Sequence, residues 1–286
     1  MIRFTMLLLL FTLLLPATAP SAIAKGPWDD QLQQDIAQWM RTISAQDAGF
    51  ASWRNATPTV RTLGTNQHQW LVTLTTQGKE VGYMVVAELP EKTDNKNTAD
   101  AQKFVFVLLE YGSGEYLLFD ETLAPPDEDA VPVYDGFSSF WKVNKEKVTH
   151  YIDAKTGERY PTTFQPDPEM IVRMDPRDLA TAEKRLVQQR SFSSVEENPF
   201  DHIDWLPAAL AEPPTRTAVS WKSLMDRQEP RSAVLTVSLF HDQVTSPFSI
   251  GSVHVWNEDV AYVGIWNEGL RFLPFSYASE VGRIVN

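Results

Sequence analysis

The chain has no cysteine among its 286 residues. Disulfide bonds, thiolate metal sites and cysteine nucleophiles are therefore all excluded. A lipid anchor attached through cysteine is excluded for the same reason. Stability must come from the burial of apolar side chains, and a chain of this length can bury enough of them in one large or two small domains.

Recognisable catalytic motifs are absent as well. The sequence contains no HExxH, GxSxG, P-loop or paired-glycine dinucleotide motif. Five histidines are present, none with a second histidine three to five residues away: His68, His150, His202, His241 and His254. We interpret Gly112–Gly114 (GSG) as a turn and His202–Asp204 (HID) as an ordinary loop. The sequence therefore predicts no catalytic residue and no cofactor, and none of these motifs indicates a metal site.

The first 24 residues have the organisation of a secretory signal peptide. Arg3 is followed by the apolar run Met6–Leu15, interrupted only by Thr12, and then by the small residues Ala22–Ala24. The run has 10 residues, about half of the ~20 that a membrane-spanning helix needs. We expect cleavage after Ala24 and a secreted or extracytoplasmic protein with no integral membrane segment.

Basic residues are scarce relative to acidic ones. Without residues 1–24 the chain has 24 Lys and Arg against 37 Asp and Glu, a formal net charge of −13. Nucleic acid and anionic membrane surfaces should repel such a protein. Cations, basic proteins and positively charged wall polymers should attract it, although solubility alone is a sufficient explanation of the charge.

Residues 25–161 are predicted to form an α+β module in which a helix packs on an antiparallel sheet. A helix should begin at Asp29 and Asp30 and end before Gly49. Its apolar side chains recur at helical spacing: Leu32, Ile36, Trp39, Met40 and Ile43. Strands rich in β-branched and aromatic residues are predicted at 59–63, 69–75, 80–89, 103–109, 140–143 and 148–152.

This module resembles the PepSY-type, cystatin-like domains of exported bacterial proteins. The resemblance lies in the helix, in Gly82–Ala87 (GYMVVA), in Leu109–Gly112 (LEYG) and above all in Tyr151–Glu158 (YIDAKTGE). It implies a binding or inhibitory module, of a kind that often accompanies secreted peptidases, without catalytic residues of its own. The Asp153–Glu158 part should form a tight turn, since Asp accepts backbone hydrogen bonds and Gly allows positive φ.

Residues 162–216 are rich in proline and are predicted to be a connector with one helix. Asp175 is a suitable N-cap, and Pro176 suits the first helical position. The inward-facing residues of that helix would be Leu179, Ala182, Leu186 and Val187.

Residues 217–286 are predicted to form an antiparallel β unit. Its strands are expected at 232–240, 248–256, 260–266 and 270–275. The two final turns are near copies, Trp256–Val260 (WNEDV) and Trp266–Leu270 (WNEGL). Asp259 and Gly269 should adopt positive φ there.

One face of this meander is the candidate binding surface. With the turn at 257–259, His254 lies opposite Tyr262, and Gly264 forms a notch among bulky neighbours. The candidate residues on that face are His254, Trp256, Tyr262, Trp266 and Phe272. The opposite, aliphatic face, which includes Val253 and Val263, should face the core. Aromatic strand faces often bind ligands or proteins, but this one could instead pack on the predicted connector helix or on the first module.

The stretch Glu110–Asp129 contains seven carboxylates and no base. Calcium takes six to eight oxygen ligands and tolerates irregular loops, so both a calcium site and a plain solvated loop remain open.

A second resemblance concerns papain-like peptidases of the bacteriocin-processing type. In those enzymes a strand with a histidine follows an apolar strand, as Ser252–Trp256 (SVHVW) follows Ala233–Val237 (AVLTV). Their cysteine nucleophile is missing, so the activity does not carry over to this chain.

Three functions follow from these observations. The leading expectation is a non-enzymatic binding or regulatory protein whose partner is a secreted protein or a cell-wall component. A cysteine-independent hydrolase using His254, or a degenerate relative of papain-like peptidases, is the second. A structural component of the cell envelope is the third.

Overall fold

The computed structural model describes residues 27–64, 68–89, 104–115, 117–124, 130–145, 148–161, 163, 166, 174–210, 219–228, 233–240 and 243–285. The predicted signal peptide, residues 1–24, lies outside the described residues. So do His241 and the acidic residues 127–129.

The chain folds into short helices and many strands. The α-helices are α1 Pro27–Gln46, α2 Leu206–Leu210, α3 Trp221–Met225 and α4 Phe275–Val281. The first eight strands are β1 Thr57–Leu63, β2 Gln69–Thr76, β3 Lys79–Glu88, β4 Phe106–Ser113, β5 Ala130–Val133, β6 Phe140–Lys145, β7 Val148–Asp153 and β8 Ala180–Thr181. The others are β9 Leu186–Ser191, β10 Val234–Leu239, β11 Val244–Trp256, β12 Val260–Trp266, β13 Leu270–Pro274 and β14 Gly282–Val285. A 3₁₀ segment, Ala48–Asn55, follows α1 directly.

The strands form one large antiparallel sheet and one small one. Within the described residues the large sheet has 11 strands in the order β1-β2-β3-β4-β13-β12-β11-β10-β14, with β8 paired on β4 and β9 on β11. The small sheet has the order β5-β6-β7. The two halves of the chain meet where β4 pairs with β13, which places Tyr111 opposite Phe272 and Gly112 opposite Arg271. This pairing brings distant parts of the sequence side by side.

The predicted α+β class, a cystatin-like helix packed on its own sheet and followed by a helical connector and a β-meander unit, is wrong. The described chain is mostly antiparallel strand, and helices other than α1 have only 5, 5 and 7 residues. The N-terminal strands also continue into the C-terminal ones through β4 and β13. The reason is that β4 is buried along Phe106–Gly112, and a buried strand needs partners on both edges for its backbone groups.

The predicted connector helix is also wrong. Asp175 does accept a hydrogen bond from the Arg177 amide, but only the 3₁₀ turn Pro176–Asp178 follows. The chain then extends as β8 on β4 and as β9 on β11. The apolar spacing from Leu179 to Val187 fits a helix locally, but the open edges of two buried strands offer a complete hydrogen-bond ladder instead.

The predicted N-terminal helix is confirmed as α1, with its five predicted apolar side chains buried. The predicted strands of the N-terminal half, the 140–152 hairpin and the C-terminal meander are confirmed as well, with ends shifted by a few residues. Pairing of His254 with Tyr262 and of Trp256 with Val260 is as predicted. The assignment of meander residues to two faces is therefore correct.

Local turn chemistry is confirmed in two places and wrong in one. Asp153 Oδ1 accepts the backbone amides of Lys155 at 2.8 Å and Thr156 at 2.7 Å, and Gly157 has φ of 72°. Gly269 has φ of 98°, as predicted. In the turn before β12, positive φ falls on Asn257 and Glu258 instead of on Asp259. Asn257 exchanges hydrogen bonds with the backbone of Arg185, a tertiary contact that local sequence does not specify.

Candidate functional site

The candidate aromatic face of the meander is covered by other parts of the chain. His254, Trp256, Tyr262 and Phe272 are 0% exposed, and Trp266 is partly buried. Trp256, Tyr262 and Phe272 share one apolar cluster with residues of α1 and the 3₁₀ segment, and the aliphatic face of the same strands fills a second cluster. Packing of this face against the rest of the protein, the alternative that the sequence left open, is the arrangement found. These four side chains do not reach solvent.

His254 is held between an acid and a phenol. Its Nε2 lies 2.9 Å from Asp47 Oδ2, and its Nδ1 lies 2.8 Å from the hydroxyl of Tyr111. Phe272 stacks on the imidazole with ring centroids 4.0 Å apart. Asp47 is fixed because it caps the 3₁₀ segment, where its Oδ1 accepts the Gly49 amide at 2.8 Å. Residues from β4, β11 and the end of α1 thus meet in one buried cluster.

The electrostatics of this cluster favour a neutral imidazole beside a carboxylate. Burial lowers the pKa of His254, and this outweighs the opposite effect of Asp47. Burial alone would raise the pKa of Asp47, but the hydrogen bonds from His254 and Gly49 lower it below its ordinary value. Burial raises the pKa of Tyr111. The imidazole therefore donates from Nε2 to Asp47 and accepts at Nδ1 from the Tyr111 hydroxyl.

This arrangement offers little support for a hydrolase based on His254. A general base must reach a substrate proton directly or through one water. His254 has an acid within hydrogen-bond distance, but it is 0% exposed and both of its nitrogens are already engaged. The cluster instead ties the segment after α1 to the central strands.

A second buried network joins β4 to β13. Arg271 Nε donates to Glu110 Oε1 at 2.9 Å, and its Nη2 lies 3.2 Å from Oε2. The Tyr134 hydroxyl donates to Glu110 Oε2 at 2.9 Å, and the Tyr83 hydroxyl donates to Oε1. Arg271 also donates to Asn267 Oδ1 at 2.7 Å. The ion pair is 0% and 3% exposed, and its fork geometry with extra donors is the kind that offsets the cost of burying charge.

Sequence reasoning missed this network. Glu110 was grouped with the acidic stretch that follows it, and Arg271 was not singled out. A signal was present, because Glu110 ends an apolar strand run and Arg271 lies between Leu270 and Phe272. Charges inside apolar strands are almost always paired when buried.

Lys155 of the DAKTGE turn lies near the same network. It is 5% exposed, and its amine lies 5.8 Å from the centre of the Tyr83 ring. Burial, with a contribution from Arg271, lowers the pKa of Lys155 to about 8. The turn that carries the PepSY-like resemblance thus packs its lysine inward.

The described carboxylates of Glu110–Asp129 do not converge. Glu110 faces Arg271 in the interior, Glu121 pairs with Arg61 at 2.8 Å on the surface, and Asp120 accepts the Thr122 amide. In the part of the chain that the structure covers, no three His, Asp or Glu side chains are placed to hold a metal ion. Residues 127–129 lie outside that part.

The surface feature that stands out is an exposed apolar segment, residues 195–210. Seven large apolar side chains are exposed among the described residues, and four of them belong to this segment: Val195 at 70%, Phe200 at 63%, Ile203 at 58% and Leu210 at 75%. Single exposed apolar residues are normal, but four of them within residues 195–210 make this segment the candidate interaction surface. This segment lies in the predicted connector, residues 162–216, and its apolar residues without helical or strand spacing are the sequence signal that indicates it.

Comparison with known proteins adds no relative. A scan against models of protein families finds no match, and a search of curated proteins finds no similar sequence. The PepSY-like resemblance therefore stays a prediction. Across the described residues, no helix is both long and apolar enough to span a bilayer.

Proposed function

We propose that the protein is a non-enzymatic binding protein that acts outside the cytoplasmic membrane and regulates a secreted or cell-wall partner. The observation that carries the proposal is the exposed apolar segment, with Phe200 and Ile203 at its centre and both more than half exposed. Covering the remaining exposed surface of such a side chain gains about 1–2 kcal/mol, the part of a full burial energy that folding leaves unused. That energy is gained when a partner covers them.

A binding role is further supported by what the buried polar groups do. His254 and Asp47 are hydrogen-bonded to each other, and Glu110 and Arg271 form a buried, hydrogen-bonded ion pair. Groups used in this way stabilise the fold and are not free for chemistry at a surface. The expected export and the formal net charge of −13 without residues 1–24 suit a protein that works in solution outside the cell membrane.

The proposal is tested with immobilised protein and extracytoplasmic proteins of the source cell. Three baits are compared: the natural sequence, the variant Phe200→Ser/Ile203→Ser, and the control Val148→Ser/Val187→Ser. The control removes two apolar side chains that are also exposed, at 47% and 41%, and that lie outside the segment. We expect one protein to be retained by the natural and control baits and lost from the Phe200→Ser/Ile203→Ser bait.

Three results would count against the proposal. Equal retention by all three baits would remove the exposed apolar segment as the binding surface. Retention of wall polymer alone would favour a structural envelope role. Hydrolysis of peptides, esters or wall polysaccharide that a single substitution abolishes would overturn the non-enzymatic assignment.

A further inference from the structure

The exposed apolar segment is hydrogen-bonded to the rest of the protein near both of its ends. The Glu196 carboxylate accepts the amides of Glu268 at 2.9 Å and Gly269 at 3.3 Å, in the turn before β13. Farther along, Arg283 of β14 donates to the carbonyls of Ala208 and Ala209. Because folding already orders the segment, binding a partner should cost little additional conformational entropy.

Trp205 anchors the middle of the segment. It is 6% exposed and packs with Val234 and Val285, while its indole nitrogen donates to the Pro199 carbonyl at 2.7 Å. Phe200 lies against this indole edge-on, with ring centroids 6.3 Å apart. The inward tryptophan fixes the loop from 199 to 205, and Phe200 and Ile203 remain outward. Burial of Trp205 thus fixes the positions of the exposed side chains of Phe200 and Ile203.

The same segment is strongly acidic. The sequence has no Lys or Arg between Arg190 and Arg216, and the segment itself has four carboxylates: Glu196, Glu197, Asp201 and Asp204. Glu197 and Asp201, which precede and follow Phe200 in the sequence, are both exposed. Apolar side chains interspersed with carboxylates complement a surface in which apolar groups alternate with cations.

We infer that the exposed apolar segment docks a basic polypeptide whose apolar side chains lie between lysines or arginines. This inference rests on the proposed binding function and specifies the chemistry of the partner. A second copy of this chain would bring like charges together at the same segment, which is unfavourable. An anionic lipid surface is repelled for the same reason.

The test uses the naturally processed protein and two synthetic amphipathic peptides with identical leucine positions. One peptide carries lysine and the other carries glutamate at every polar position. Binding is followed by fluorescence anisotropy of the labelled peptide. We expect the leucine–lysine peptide to bind and its leucine–glutamate counterpart not to bind.

Paired variants separate the apolar from the electrostatic contribution. Phe200→Ser/Ile203→Ser should weaken binding of the leucine–lysine peptide about tenfold or more, and Val148→Ser/Val187→Ser should not. Glu197→Gln/Asp201→Asn should weaken it several-fold and reduce its salt dependence. The control Glu115→Gln/Glu280→Gln removes the same charge from exposed positions elsewhere and should have little effect.

The outcomes distinguish the inference from the proposed function. If Phe200→Ser/Ile203→Ser weakens both peptides equally and the acidic variants do nothing, the basic partner is refuted while the binding segment stands. If Phe200→Ser/Ile203→Ser binds the leucine–lysine peptide as tightly as the natural sequence does, both are refuted. Thermal unfolding of every variant confirms that each one is folded.

Discussion

Arg271 Nε lies 2.9 Å from Glu110 Oε1, although the two residues are 161 positions apart in the chain. Both are essentially inaccessible, and two tyrosine hydroxyls complete the coordination of the carboxylate. The pair spans the junction of β4 and β13, where the two halves of the large sheet join. Removing this pair should therefore lower the free energy of unfolding of the whole protein.

We predict that Arg271→Met destabilises the protein by about 3–5 kcal/mol, because it leaves the Glu110 carboxylate buried without its cation. The double variant Glu110→Gln/Arg271→Met should cost clearly less than the sum of the two single changes. Urea unfolding followed by tryptophan fluorescence measures both. The exposed pair Arg177–Asp175 is the control, and Arg177→Met should leave the stability nearly unchanged. Equal losses at the two sites would contradict the assigned role.

The buried imidazole of His254 should make stability depend on pH. Its pKa in the folded protein is lowered from 6.5, so the unfolded chain takes up the proton first as the pH falls. The contribution of His254 to stability should be fully present above about pH 6.5 and should decrease below it, by up to about 1.4 kcal/mol per pH unit for one proton. The lowered pKa of Asp47 adds a loss of the same sign below about pH 3.8.

His254→Gln tests this assignment. The variant should be less stable at pH 8 and should show a flatter dependence between about pH 6.5 and pH 5. His202→Gln changes an exposed histidine and should keep the natural dependence. The measurement is the free energy of unfolding in urea at a series of pH values. An unchanged dependence in His254→Gln would show that other groups are responsible.

Gly264 provides a packing test in the same region. A Cβ at this position would lie 2.7 Å from the ring of Phe272, which stacks on both His254 and Tyr111. Gly264→Ala should therefore cost about 1–3 kcal/mol through overpacking. Combining it with Phe272→Leu should cost less than the two single changes added together, because the smaller side chain leaves room for the methyl group. Additive losses in thermal unfolding would argue against this contact.

Export is tested at the N-terminus. Cleavage after Ala24 should give a mature chain that begins at Lys25, as measured by intact mass of the protein in the extracytoplasmic fraction. Leu9→Arg places a charge in the short apolar run and should block processing, whereas the control Leu9→Ile should not. An intact precursor in the soluble interior of the cell would refute the signal-peptide prediction.

Much of the local structure was predictable because its causes are local. The apolar spacing from Leu32 to Ile43 indicates α1, and alternating residues around His254 indicate which side chains share a face. The secondary structure of Leu179–Val187 was not predictable. Its apolar spacing fits a helix, but the chain forms strands β8 and β9 there. The candidate binding surface is buried for a similar reason. The residues that cover His254 belong to the segments around Asp47 and Tyr111, which are far from it in the sequence.

By itself the sequence determined the absence of thiol chemistry, the acidic charge, the helix α1 and most strands, which depend on composition and on short-range periodicity. Only the tertiary structure decided that β4 joins β13, that Glu110 pairs with Arg271, and that Phe200 and Ile203 stay outside. Strand pairing between distant segments depends on which edges remain open once each strand is buried. Which strands pair therefore depends on the whole chain and cannot be predicted from any single stretch of residues.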